Sequence, residues 1–259
     1  MSKKQGAIWL FVALLSALTT VLIFLPASWL AVVLEKQTAG RLSLGDVQGS
    51  FWRGSAFVGG ASGTNGPVTP LFPGRFSWRI SPVVLLGQVD VELANSSVLS
   101  QPVALRGNLS QWQLAASSMN LPPERLEALG APLNTIGPTG QLKLSWSALE
   151  FTRYEDKVDV TGKMQLAMSD MGSRLSSIKP LGSYQLSFDW QGQNAHIVLT
   201  TDKGPMMLSG NGNLQGGRLQ FSGKAFADVG QEERLANLLN LLGQRRKDGD
   251  KDVIALEFK

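Results

Sequence analysis

Gly182–Trp190 reads GSYQLSFDW. Tyr184, Leu186, Phe188 and Trp190 recur at every second position, and a period of two is that of a half-buried strand. The same pattern spreads upstream and downstream. GQLKLSW from Gly140 places Leu142, Leu144 and Trp146 on one face. Gly74–Ile80 (GRFSWRI) sets Phe76, Trp78 and Ile80 against Arg75, Ser77 and Arg79. Val89, Val91 and Leu93 alternate with Gln88, Asp90 and Glu92, and Val158–Met168 (VDVTGKMQLAM) alternates as well. Ala195–Thr201, Met206–Gly212 and Arg218–Ala225 continue the series, and Val103–Leu109 with Trp112–Ala116 predicts a hairpin. The chain holds 28 glycines, many of them at turn-like intervals, so it reads as many short strands with tight turns. The expected fold class is mainly β, a curved antiparallel sheet. Its spacings are irregular, which argues against a solenoid repeat; an internal duplication and a plain meander both remain open.

Two short helices interrupt the strands. Leu121–Gly130 (LPPERLEALG) has Pro122 and Pro123 for a first turn, Gly130 for an end, and Leu126 and Leu129 for a buried side. In Asp228–Gly243, Asp228 is positioned to cap with Gln231 in a capping box. Leu235, Leu238, Leu239 and Leu242 then form an amphipathic stripe. Gly243 ends this helix, and Arg245, Arg246 and Lys247 sit where its dipole favours cations. The stripe packs on the sheet, the alternative being a partner-binding helix. Ser81–Gly87 (SPVVLLG) reads as a single helical turn, and Ile254, Leu256 and Phe258 as a last strand.

Ahead of all this lies Gly6–Leu25, GAIWLFVALLSALTTVLIFL, with no charged side chain from Gly6 to Leu34. A bilayer core takes roughly 20 apolar residues as a helix. Leu14, Leu15, Leu18, Val21, Leu22 and Ile23 leave no polar face, and Trp9 and Trp29 sit toward the two ends. Lys3 and Lys4 place the N-terminus in the cytoplasm by the positive-inside rule. A cleaved secretory signal is the rival, but its apolar stretch would be shorter, and Leu25-Pro26 before Ala27 and Ser28 makes a poor cleavage site. The expected division is a tail at residues 1–5, a transmembrane anchor and emerging segment at 6–34, and a β-rich body at 35–259 on the far side of the membrane.

Composition excludes several functions. The formal charge is +4, with Lys3 and Lys4 supplying two units, so the body carries no nucleic-acid surface. With no cysteine, thiolate metal sites and cysteine nucleophiles are excluded. The single histidine, His196, lies in an alternating run, and no GxSxG, HExxH or phosphate-binding glycine loop is present. A hydrolase would need His196 in a cleft beside a serine and a carboxylate. Glu155, Asp156 and Asp159 are interspersed with Arg153 and Lys157, as on a solvated hairpin. Asp248, Asp250 and Asp252 lack the spacing and terminal glutamate of a calcium loop. We therefore expect no catalytic residue, cofactor or metal. Seven tryptophans are many; Trp78, Trp146 and Trp190 fall on the apolar face and read as core. The alternative is an open apolar groove that meets acyl chains or another protein.

GSFWRGSA at Gly49–Ala56 and FSWRISPVVLLG at Phe76–Gly87, with the later Pro180, Gly182 and Trp190, carry a resemblance to a family. In these motifs the chain resembles the bacterial type II secretion system protein N, also called general secretion pathway protein N. The resemblance covers nearly the whole chain. It implies a short cytoplasmic tail, one inner-membrane span and a periplasmic β-domain. It also implies an accessory role in exporting folded proteins across the outer membrane, with partners among the other inner-membrane or secretin subunits. Lipid would be met through the N-terminal helix. The family is not regarded as enzymatic. Phe51, Trp52, Arg53, Trp78 and Pro82 are the candidate partner-binding or structural residues, since Trp and Arg are enriched at interface hot spots and also frequent in cores. Leu208–Leu214 and Val253–Phe258 are candidate sheet edges for strand addition. The runner-up function is a membrane-anchored lipid-shielding β-groove. An open groove lined by Phe76, Trp78, Leu144, Trp146, Phe188 and Trp190 would favour it; one dry core would favour the scaffold.

Overall fold

The structure is a computed structural model and describes residues 3–61, 68–130, 133–155, 157–248 and 251–258. Helix α1 (Lys3–Ile23) is followed by α2 (Ser28–Gln37). The strands then begin: β1 (Leu42–Gly49), β2 (Arg53–Gly60), β3 (Thr69–Pro70), β4 (Phe76–Ile80), β5 (Gln88–Ala94), β6 (Val103–Asn108), β7 (Gln111–Leu114) and β8 (Ser117–Leu121). A four-residue helix, α3 (Leu133–Ile136), precedes β9 (Pro138–Trp146), β10 (Leu149–Tyr154), β11 (Lys157–Ser173), β12 (Gly182–Gly192), β13 (Asn194–Lys203), β14 (Met206–Gln215) and β15 (Arg218–Ala227). Helix α4 (Glu232–Leu242) and strands β16 (Gln244–Asp248) and β17 (Lys251–Phe258) complete the order.

The described strands form one sheet of 17, and every pairing is antiparallel. The path is a meander. Strands β7 and β8 behave as one strand with a jog, as do β9 and β10. Gln111 faces Thr152 and Leu114 faces Leu149 before the jog; Ser117 faces Trp146 and Leu121 faces Leu142 after it. Strand β11, 17 residues long, backs both β10 and β9 on one side and β12 on the other.

Register turns the alternation of single strands into one apolar face. Trp146, Met164, Phe188, Ile197, Gly212, Phe221 and Phe258 line up across seven strands. Leu144, Leu166, Leu186, Leu199, Gly210, Gly223 and Leu256 form the next row. The glycines in these rows make room for a ring: a Cβ on Gly223 would lie 2.8 Å from Phe221 Cε1. The opposite face carries Lys163, Gln165, Ser187, His196, Asn213 and Ser222 and is exposed. A half-solvated antiparallel sheet shows this division.

Two separate clusters bury this face. Phe76, Val98, Leu99 and Val103 form one, with Leu93, Met119 and Trp146 against it. The other gathers Ile178, Leu181, Tyr184, Met206, Ala225 and Ile254 under Leu235, Leu238 and Leu239 of α4. The leucine stripe thus faces its own sheet, with Leu242 packed beside it. The alternation left open one dry core or an open groove, and the structure takes neither form. Phe76 is buried, while Trp78, Leu144, Trp146, Phe188 and Trp190 are half-buried along a strip between and beside the clusters.

Several expectations are corrected. Leu208–Leu214 is no edge, because β14 lies between β13 and β15. Strand β17 has partners on both sides only at Ile254 and Ala255; Val253 pairs with β16 alone and Leu256–Phe258 with β15 alone, so the expected edge is open on one side along most of its length. Among the described strands the sheet's outer strands are β1 and the charged β16 (QRRKD). Asp228 does not cap α4; Gln231 holds that position without a side-chain bond, and Asp228 instead accepts from the Val229 amide. Gly243 ends α4 in an extended conformation that lets the backbone pass close to Ala255. Arg245, Arg246 and Lys247 belong to β16 rather than to the helix end. The segment after Leu121 winds as a 3-10 turn, Pro123–Leu129, ahead of α3. The stretch read as a single helical turn winds as a 3-10 helix, Pro82–Leu86.

Among the described residues no helix is long and apolar enough to cross a membrane. The side chains of Lys3 and Lys4 of the expected tail and of 6–8 of the expected anchor lie outside the described set, as do that of Leu129, the loop 62–67 and Asp156. In the expected charged turn, residues 249–250 and the side chains of Asp248 and Lys251 also lie outside it.

Candidate functional site at the helix-proximal end of the sheet

The Gly-Ser-Phe-Trp-Arg-Gly turn is tight for a local reason. Gly49 has φ of +88°, a left-handed value that costs glycine little, and Ser50 N–H donates to the Arg53 carbonyl at 2.8 Å. The chain therefore doubles back, and Gly54 pairs with Trp78. A side chain at Gly54 would collide with the Trp78 indole. Trp78 lies over that glycine, and its Nε1–H donates to the Phe51 carbonyl at 3.0 Å. Phe51 and Trp52 meet edge-on, with centroids 5.2 Å apart.

This turn clasps the end of α1. Trp52 Nε1–H donates to the Leu22 carbonyl at 2.7 Å. Phe51 N–H donates to the Leu25 carbonyl at 2.8 Å, and Pro26 bridges to Ser50. The last carbonyls of a helix lack partners within it, and the indole supplies one. Trp52 also anchors β4, since its carbonyl accepts from Ile80 N–H at 2.8 Å. Two residues beyond Ile80 the 3-10 turn begins at Pro82.

Beside the clasp, on the polar face, lies a shallow depression lined by Trp52, Arg53, Arg79, Pro82, Asp90 and Arg106. Its charges are cross-paired. Arg79 binds Glu92 at 2.6 Å, and Arg106 reaches Asp90 at 3.5 Å. The hydrogen bond that Arg79 donates to Glu92 holds its guanidinium protonated above the ordinary range. Arg53 lies opposite Arg79 in the register and is exposed. The structure thus brings Trp52, Arg53 and Pro82 to one depression and sets Trp78 on the other face, with Phe51 in the turn between. The sequence singled out these five residues but not Arg79, Glu92, Asp90 and Arg106. Their alternation with apolar residues marked them only as outward-facing, and their pairing depends on strand neighbours.

His196 stands exposed on the polar face, its Nδ1 3.1 Å from Asn213 Oδ1. Ser145 and Ser187 share an open trough with it, but each bonds a backbone carbonyl, Gln165 and Val198 respectively. No activated serine is assembled there. Among the described residues no group of three or more His, Cys, Asp or Glu could hold a metal.

A helix bonded to the end of a large one-sided antiparallel sheet, with Arg79–Glu92 and Arg106–Asp90 paired on an open surface, defines a class: a helix-bearing, mainly β protein that presents surfaces. The chain belongs to the family of the type II secretion system (T2SS), protein N, whose model matches residues 40–253. Its place is therefore in type II secretion and protein transport. No curated protein and no solved structure matches the chain.

Proposed function

We propose that the chain is an inner-membrane component of the type II secretion machinery that stabilises the assembly through protein–protein contacts. In this reading α1 is a single membrane span with a cytoplasmic N-terminus, and the sheet stands in the periplasm. The observation that carries it is the clasp: Trp52 ties the sheet to the end of α1, so the body is held at a set attitude to its helix. The apolar side chains exposed around α1, from Trp9 and Leu10 to Ile23 and Phe24, support lipid as its surroundings. Confinement to one membrane raises the effective concentration toward partners in the same membrane. The depression at Arg53, Arg79 and Pro82 and the outer strand β1 are the surfaces offered, and the partners are other inner-membrane or secretin subunits.

A photo-crosslinking residue at Arg53 or Pro82 in cells that hold the whole machine tests this. Adducts to another secretion subunit are expected at these positions and not at Asn211 on the distant polar face. No protein adduct from Arg53, Pro82 or β1 would overturn the scaffold reading. A second reading, shielding of acyl chains, is favoured by the half-buried strip around Leu144, Phe188 and Trp190. Lipid adducts from that strip in place of protein adducts from the depression would establish it instead.

A further inference from the structure

Three exposed leucines crowd the end of the sheet where α1 arrives. In the 3-10 turn Leu85 is 58% exposed and Leu86 82%. Leu109, 54% exposed, tips the β6–β7 hairpin, and its N–H donates to the Gly87 carbonyl at 3.2 Å, which joins the two tips. The next hairpin is held to them by Arg153 N–H donating to the Ser110 carbonyl at 2.7 Å, and it exposes Tyr154. Neighbouring strands are about 4.8 Å apart, so all three tips lie within about 25 Å of Trp52. The register puts them at one end: Gln88 faces Asn108, Gln111 faces Thr152, and Arg53 faces Arg79. Trp52, one residue before the Arg53–Arg79 pair, bonds Leu22 of α1.

We propose that this end of the sheet dips into the lipid interface of the membrane that holds α1, with Leu85, Leu86 and Leu109 as the inserted side chains. The inference rests on the anchor reading above. The occupant is lipid because the tips share the sheet end at which the Trp52 turn binds the C-terminal end of α1, and Phe24, just beyond that helix, is also exposed. Tyr154 suits the headgroup level, where amphipathic rings gather. Exposure alone does not mark this function. Val229 is 85% exposed, yet it follows β15 at the opposite end, beside α4.

The chain has no cysteine, so single probes can be placed without background. Full-length Leu86→Cys, Leu109→Cys, Val229→Cys and Leu14→Cys variants would carry a polarity-sensitive fluorophore. They would be reconstituted in phosphatidylethanolamine–phosphatidylglycerol vesicles containing brominated lipid. Probes at 86 and 109 are expected to lose about half their emission to lipid brominated near the headgroup, as interfacially buried groups should. The probe at 229 is expected to lose none, and the probe at 14 to respond to lipid brominated deep in the chains. Quenching at 14 without quenching at 86 and 109 overturns the tip insertion and leaves the anchor standing. A blue shift at 86 without lipid quenching overturns it too, since the apolar cover would then be protein. An unquenched probe at 14 defeats the anchor, and this inference with it.

Discussion

Leu235→Ala tests whether α4 is part of the body or a detachable arm. Leu235 is 0% exposed and packs with Ile178, Tyr184, Met206, Ala225 and Ile254. The substitution removes three carbons, at about 0.8 kcal/mol for each buried methylene-sized group, so about 2.4 kcal/mol of transfer free energy. The site cannot collapse easily, because the sheet below is tied by the ladders of β14, β15 and β17. A residual cavity of about 60 Å³ at about 24 cal/mol per Å³ adds roughly 1.5 kcal/mol. The expected loss is about 4 kcal/mol. In urea, with a slope of about 2–3 kcal/mol/M, the midpoint should fall by about 1.3–2 M if the slope is unchanged. Hydrogen exchange on the full chain in detergent would localise the effect. Amides of β14, β15 and β17 should exchange faster, while those of β4–β6, which bury the other cluster, should hold. A loss below about 1 kcal/mol would mean that α4 is not docked in solution, and its leucine stripe would then be free for a partner.

Further expected outcomes concern the clasp, the sheet and the anchor. Trp52→Phe removes one hydrogen bond to Leu22 and should cost about 1 kcal/mol, read as a roughly fivefold rise in exchange at the Ile80 amide; no change would mean that the indole bond does not hold the turn. Trp78→Ala should cost about 3 kcal/mol, the low end for a large aromatic because the ring is half-buried, checked by thermal unfolding. Asp46 is held below its ordinary 3.8 mainly by its hydrogen bond from Arg75. A lowered folded-state value means that this stabilisation is complete above the unfolded value and is lost as pH falls through the folded one. Asp46→Asn should therefore flatten the melting-temperature profile below about pH 4, and an unchanged profile would assign the acid sensitivity elsewhere. Leu15→Arg should impair membrane insertion by a few kcal/mol, seen as release on alkaline extraction; retention would contradict the anchor.

The strands and their faces were legible because a period of two survives in any half-buried strand. GSYQLSFDW and GQLKLSW form strands where read, and Tyr184, Leu186, Phe188 and Trp190 share a face. The leucine stripe of α4 was equally plain. The sequence could not say which strand lies beside which. Leu208–Leu214 looked like an edge because alternation is the same in an edge strand and a central one, and only its ladders to β13 and β15 enclose it. Capping by Asp228 failed for a similar reason: its carboxylate is taken by the neighbouring Val229 amide before the helix starts. The site residues were found by type, since Trp52 and Arg53 stand out anywhere. Their roles were not, because the Leu22 carbonyl that Trp52 holds is thirty residues away in sequence.

Sequence alone determined that this chain is a β-rich body behind an apolar segment uncharged from Gly6 to Leu34, with no thiol chemistry, because composition and side-chain period act locally and residue by residue. The tertiary structure alone decided that the described residues form two burial centres instead of one, that the outer strands among them are β1 and β16, and that the Trp-Arg-Gly turn grips the helix end. Those outcomes depend on register between distant segments, and a ladder of backbone hydrogen bonds leaves no mark on the side chains that would announce its partner.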